Sequence, residues 1–289
     1  MKERVRLENR VQPALILLLV GCASSIPQVS APTPIPAIPA PSAATPSSWM
    51  LRLAPGATAY RISRSGVIEN TSDSSGGRAV TANSSHETLN LEQLGDTIAF
   101  TAILDTFATT VQRETTSSQQ PVALPLQLSG QVVADKIRIS GDTLADKCNP
   151  AVTALVSDLH NLLPRFPVSL SVTSRWTDST DIVGCQSSIP IRSRVTHSYS
   201  VTGEISYADT RVLVIQRLDS IRAEGEGAQQ QHRVVLAAMG NGNATYYVDP
   251  ISAHVVQLIT NQDVELTVTA SGRTNRFRQT ARQEFTLRR

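Results

Sequence analysis

The chain has 289 residues, with 26 Lys and Arg against 24 Asp and Glu, 40% hydrophobic residues and only 4% aromatic ones. Four of the basic and two of the acidic side chains fall in residues 1–21, so the remainder carries 22 of each and no net charge. That balance excludes a general electrostatic attraction to nucleic acid or to anionic lipid.

The chain opens with Lys2, Arg4, Arg6 and Arg10, followed by an apolar core from Pro13 to Val20. The core is too short to cross a bilayer, which takes about 20 apolar residues, and the order of the two segments is that of a secretory signal peptide. In place of an A-x-A cleavage site stands Leu19-Val20-Gly21-Cys22. These residues resemble the lipobox of bacterial lipoproteins, in which the cysteine thiol takes a diacylglyceryl group and the signal is cut before it. The resemblance implies a signal peptide at 1–21 and a lipid, palmitate included, attached through Cys22. Acyl chains contribute about 0.8 kcal/mol per buried CH₂, so two or three of them hold a protein on a membrane without spanning it. Ala23 and Ser24 stand where an aspartate commonly retains such proteins in the inner membrane. The resemblance therefore implies the periplasmic face of the outer membrane, or the outer face of the single membrane of a monoderm host.

Residues 22–49 form a tether. Seven of the sixteen prolines lie between residues 26 and 48, with small and polar residues between them. Such a segment forms no packed core and extends about 3.1 Å per residue. With Cys22 acylated, Cys148 and Cys185 remain as an even pair in an oxidising compartment, where a disulfide is the expected state.

From residue 50 to 289 the pattern is mostly of period two, and a single β-rich domain is expected. Alternation or β-branched enrichment predicts strands at 57–68, 97–111, 189–202, 211–222, 232–239, 244–249, 254–260, 264–270 and 277–287. Turn signals separate them at Ser74–Gly77, Glu224–Gly227, Gly240–Asn243 and Ser271-Gly272. One helix interrupts the strands: Asn149-Pro150 supplies a cap and a first-turn proline, and Val152, Leu155, Val156, Leu159 and Leu162 fall on one face. The fold class is thus mainly β, a large antiparallel curled sheet or half-barrel with one packed amphipathic helix at about 151–163. The order of signal, lipobox, tether, strands, helix and strands is similar to that of exported lipoproteins with the lipoprotein-carrier fold. Leu163-Pro164-Arg165-Phe166-Pro167 and Tyr246-Tyr247-Val248-Asp249-Pro250 are the local stretches that fit it. In that fold the concave face holds acyl chains, whereas here Thr, Ser and Gln are frequent at strand positions.

No constellation announces a catalyst. His86, His160, His197, His232 and His254 are scattered without metal-ligand spacing, and neither G-x-S-x-G nor S-x-x-K occurs. Gly240-Asn241-Gly242-Asn243 lacks the lysine and helix of a phosphate loop and reads as a hairpin turn. Asp178 and Asp181 form the best carboxylate pair, with a loop after Trp176 as the expected setting. Arg276, Arg278, Arg282 and Arg288 share one strand face, which could grip phosphate or carboxylate groups or could simply be solvated. The expectation is a non-enzymatic, membrane-anchored periplasmic lipoprotein that binds an apolar or amphiphilic ligand or an envelope partner, with no cofactor and no nucleic acid. The alternatives are an assembly component of an outer-membrane complex and an envelope hydrolase.

Overall fold

The computed structural model describes residues 48–72, 78–94, 97–112, 117–118, 124–133, 136–140, 149–186, 189–207, 210–229 and 231–288. The signal segment, nearly all of the tether and the turn expected at Ser74–Gly77 lie outside them. In chain order the elements are β1 (Ser48–Met50), β2 (Gly56–Asn70), β3 (Arg78–Leu94), β4 (Thr97–Gln112), β5 (Ser117–Ser118), β6 (Leu126–Val133), β7 (Lys136–Ser140), α1 (Pro150–Leu162), β8 (Ser169–Ser171), β9 (Arg175–Gln186), β10 (Ile189–Tyr207), β11 (Thr210–Gln229), β12 (His232–Val248), β13 (Val255–Ala270) and β14 (Arg273–Arg288).

Eleven of the strands lie in one antiparallel sheet in the order β7-β6-β4-β3-β2-β14-β13-β12-β11-β10-β9, with β5 beside β4. Two up-and-down meanders, β2 to β7 and β9 to β14, are therefore sewn together where the last strand pairs with β2, from Phe277 opposite Asn70 to Arg288 opposite Ala59. The helix lies in sequence between the two edge strands, β7 and β9, and it packs against both β4 and β9. Eight strand spacings separate those two strands, about 38 Å if the sheet were flat, whereas thirteen helical residues span only about 20 Å. The sheet must curl around the helix for both contacts to exist. It does so without closing into a barrel: β7 and β9 are not paired with each other.

Alternation decides what faces inward. On β12 the even residues Val234, Leu236, Ala244 and Tyr246 are buried and the odd residues up to Asn243 are exposed, and the cross-strand register carries that parity through the neighbouring strands. The main core lies between α1 and the concave face: Leu155 and Leu159 from the helix with Tyr60, Ile62, Leu104, Ile215, Leu258 and Phe285 from the sheet. The ribbon of β1 and β8 caps one end of this core with Trp49, Leu51 and Leu170. The helix begins as expected, with the Asn149 side chain accepting the Ala151 N–H at 2.9 Å.

Four expectations are corrected. Residues 232–248 form one strand, so Gly240–Asn243 is not a hairpin, and Glu224–Gly227 likewise lies inside β11. A Cβ on Gly240 would sit 2.2 Å from the Asp263 carbonyl oxygen, and one on Gly225 2.5 Å from that of Pro190. These glycines permit close backbone approach in a strongly curved sheet, a role that leaves the same mark in the sequence as a turn. Residues 254–270 likewise form the single strand β13 from Val255, where two strands were expected. Residues 176–181 belong to β9 and not to a loop, which puts Asp178 and Asp181 on opposite faces. The turn at Ser271-Gly272 is present, with both residues at positive φ.

Candidate functional site

The concave face has three zones. The helix covers one half of it. At the opposite end lies a smaller core of Ile189, Val234, Leu236, Val268 and Phe277. Between them, uncovered by any of the described residues, lies a trough of about 180 Å³, walled by Ile191, Ile221, Val264 and Leu266 and floored by Ala238 and Ala281. The trough exists because strands β10 to β14 place small side chains in the middle of this face. Gly240 lies beside Ala238 on β12, and the polar lining is confined to Ser193, Gln262 and Gln279.

A polar seam separates trough from core. Arg217 and Asp219 on β11 are 4% exposed, and His197 on β10 is 8% exposed. His197 Nδ1 lies 2.7 Å from Asp219 Oδ1, and its Nε2 lies 3.2 Å from the Thr180 hydroxyl. Arg217 donates to Asp219 Oδ2 at 3.0 Å and holds its Nε 2.8 Å from Oδ1. It also donates to Asn161 of the helix and to the Tyr246 hydroxyl. Burial alone would raise the Asp219 carboxyl, but the His197 hydrogen bond and the Arg217 charge outweigh it and hold the group below the usual range. Asp178, on the same face of β9, goes the other way: burial raises it despite His197, Arg165 and Arg217. His160 on the helix is pushed down to about 4, by burial first and then by Arg165 and His197.

On the far side of the helix Arg64 pairs with Asp158, which is fully buried, and lies 3.8 Å from Glu87. Two carboxylates share one guanidinium, and burial pushes Glu87 up to about 7 in spite of Arg64 and the Ser85 hydroxyl. These two clasps, Arg64 to Asp158 and Arg217 to Asn161, fix the helix over the core. An aromatic group fills the gap beside the second: Trp176 stacks on Tyr199 at 4.8 Å, and Phe166 meets Trp176, Tyr199 and Tyr246 edge-on.

Thr180, His197 and Asp219 have the order of a hydroxyl, a base and an orienting carboxylate. Arg217 donates to the same carboxylate from Nη2 and holds its guanidinium against it, so Asp219 is shared between the imidazole and a buried cation.

Of the residues singled out from sequence, Cys22 and Cys148 lie outside the described residues. Cys185 lies on β9, half-buried, one residue from Gly184, whose added Cβ would meet the Thr153 methyl at 3.0 Å. The start of the helix therefore lies against β9 beside Cys185. Arg276, Arg278 and Arg282 do share the convex face of β14, away from the trough. Arg278 is tied to Asp263 through two nitrogens, and Arg282 reaches Asn261 and Glu284. Asp181 pairs with Arg194 on the convex face, and Asp178 faces inward. Sequence reasoning missed the seam. Its signal was present in β11, where Arg217 and Asp219 continue the inward parity of Leu213, Ile215 and Ile221.

No family model matches the sequence, and no curated protein does. Among solved structures the chain is similar to one titled "Crystal structure of putative outer membrane lipoprotein-sorting protein domain from Vibrio parahaemolyticus", at 8% identity over 76% of this chain and 83% of that one, with a TM-score of 0.17. A TM-score that low does not establish a shared fold.

Proposed function

We propose that this chain is a lipid-anchored envelope module, without a catalytic step of its own, that holds the apolar part of an amphiphilic ligand in the concave trough. The observation that carries the reading is the trough itself: an apolar depression left open on a face whose other two zones are densely filled. Its volume of about 180 Å³ is close to that of cavities that bind a benzene-sized group, about 150 Å³. A whole acyl chain exceeds it, so the enclosed part is a short aliphatic or aromatic segment and the rest of the ligand lies along the open curl.

In this reading Cys22 carries the lipid, residues 22–49 form the leash, and the domain works at the periplasmic face of the outer membrane. Cys148 and Cys185 form a disulfide that staples the start of the helix to β9. The position of Gly184 against Thr153 supports that staple, since Cys148 directly precedes the helix cap.

The test is a titration of the purified protein with 11-(dansylamino)undecanoic acid, followed by dansyl emission. Saturable binding is expected, with at least a tenfold loss of affinity in Ala238→Phe at an unchanged Tm; any contribution of the apolar segment at 13–20 is common to both proteins. Equal affinity in the two proteins would remove the trough from the reading. A protein that co-purifies in fixed ratio while the probe fails to bind would favour the assembly alternative.

A further inference from the structure

Five of the nine large hydrophobic side chains exposed among the described residues lie at one end of the curled sheet: Met50, Leu94, Val168, Val172 and Ile251. The other four, Val183, Leu218, Val235 and Met239, are spread over the convex faces of β9, β11 and β12. Backbone hydrogen bonds hold the first group together. Leu51 N–H donates to the Val168 carbonyl at 2.8 Å, Met50 is register-paired with Ser169, and Ala54 N–H donates to the Ser252 carbonyl at 2.9 Å. Two residues on, Gly56 pairs with Leu91, near the end of the strand that finishes at Leu94. Since a chain advances at most about 3.6 Å per residue, Leu51 and Ala54, which bond Val168 and Ser252, lie within about 11 Å of each other.

Ile251 is 88% exposed, and the turn that carries it is fixed. The Asp249 carboxylate accepts the Ile251 N–H at 2.8 Å and the Ser252 hydroxyl at 3.0 Å. Ala253 donates its N–H to the Asp249 carbonyl at 2.8 Å, and Asp249 donates its own to the His254 carbonyl at 2.9 Å. Ala253 is held at a φ of +56°, a conformation that a residue with a side chain rarely adopts. An isoleucine presented to solvent on so constrained a turn loses little freedom when it meets an apolar phase. The position of the remaining chain says which phase. The sequence before Ser48 holds Cys22 and the proline-rich tether, and it enters the domain through β1, the strand that carries Met50.

We propose that this end of the domain is a membrane-docking surface, with Ile251, Met50 and Val168 entering the headgroup region of a lipid bilayer. The inference rests on the anchored reading only for what brings this end to the membrane. Docking would turn the mouth of the curl into a fixed orientation relative to the lipid, where a leash alone leaves every orientation accessible.

The test uses the full chain and vesicles of phosphatidylethanolamine and phosphatidylglycerol that contain brominated phosphatidylcholine. Tryptophan is introduced at the tip by Ile251→Trp and, as control, on the convex face by Met239→Trp, a position 69% exposed; the wild type supplies the background of Trp49 and Trp176. The tip tryptophan should lose half or more of its emission to the bromine atoms, and the control should lose none beyond background. Equal quenching at the two positions, or none at the tip, would overturn the proposal, as would a protein partner that shields the tip from the vesicles. A Cys22→Ser version separates the two readings. If its sedimentation with vesicles is unchanged, the lipid anchor fails while the difference between tip and control still supports docking; if quenching at the tip is lost together with sedimentation, the anchor delivers the docking end.

Discussion

Replacing Glu87 by Gln should change how the stability of this domain depends on pH, and the sign follows from the burial of its carboxyl. Glu87 is 3% exposed and competes with Asp158 for a single guanidinium, and burial lifts its pKa from an ordinary 4.5 to about 7. Between those two values the folded protein keeps the proton and the unfolded chain has released it. Stability from this group is therefore present below pH 4.5 and is lost as pH rises through 7. A rise of that size corresponds to about 3 kcal/mol. His160 works in the opposite direction over part of the same window. Its pKa falls from 6.5 to about 4, so the unfolded chain binds the extra proton, and stability from it grows by about 3 kcal/mol as pH rises from 4 to 6.5. The wild-type profile should thus be nearly flat from pH 4.5 to 6.5 and then decline towards pH 8. Asp178 adds to the Glu87 direction and Asp219 opposes it, but both are common to the two proteins. Urea unfolding of wild type and Glu87→Gln at pH 5 and pH 8 isolates the effect. The variant should match the wild type at pH 5 to within about 1 kcal/mol, since Gln keeps the acceptor for Ser85, and exceed it by about 2 to 3 kcal/mol at pH 8. A difference that does not change between the two pH values would refute the argument that burial keeps Glu87 protonated.

Two further outcomes test the fold and the staple. Gly240→Ala should destabilise the domain by about 2 kcal/mol or more, because the new methyl would meet the Asp263 carbonyl and the Val264 backbone in the centre of the sheet; a stability within about 0.5 kcal/mol of wild type would show that β12 and β13 are further apart there than described. Cys148→Ser with Cys185→Ser should cost about 3 to 4 kcal/mol in oxidised protein and nothing in reduced protein, by the chain-entropy estimate for a loop of this length, and an identical loss under both conditions would speak against a disulfide.

What the linear chain settles about this protein is what depends on near neighbours. Asn149-Pro150 and the apolar stripe from Val152 to Leu162 suffice to place α1, because capping and periodicity act within one or two turns. Period two suffices to mark β4, β10, β11 and β14, and Ser271-Gly272 suffices to reverse the chain between β13 and β14, since a tight turn with positive φ is a local event. It could not mark β3 as a strand, where Ser, Thr, Asn, Gln, Glu, His and Arg occupy most positions and the partners on both sides supply the pairing. Nor could it tell that Gly225 and Gly240 serve curvature, because the atoms they make room for belong to Pro190 and Asp263 on other strands.

The site belongs wholly to the tertiary structure. Arg64 meets Asp158 across 94 residues of chain, Arg217 meets Asn161 across 56, and the trough is shared among five strands. Which face of each strand looks inward, and how far the sheet curls before the helix stops it, is set by the sum of the cross-strand registers and by the short span of α1. Both are properties of the assembled layer, and no window of the sequence contains them.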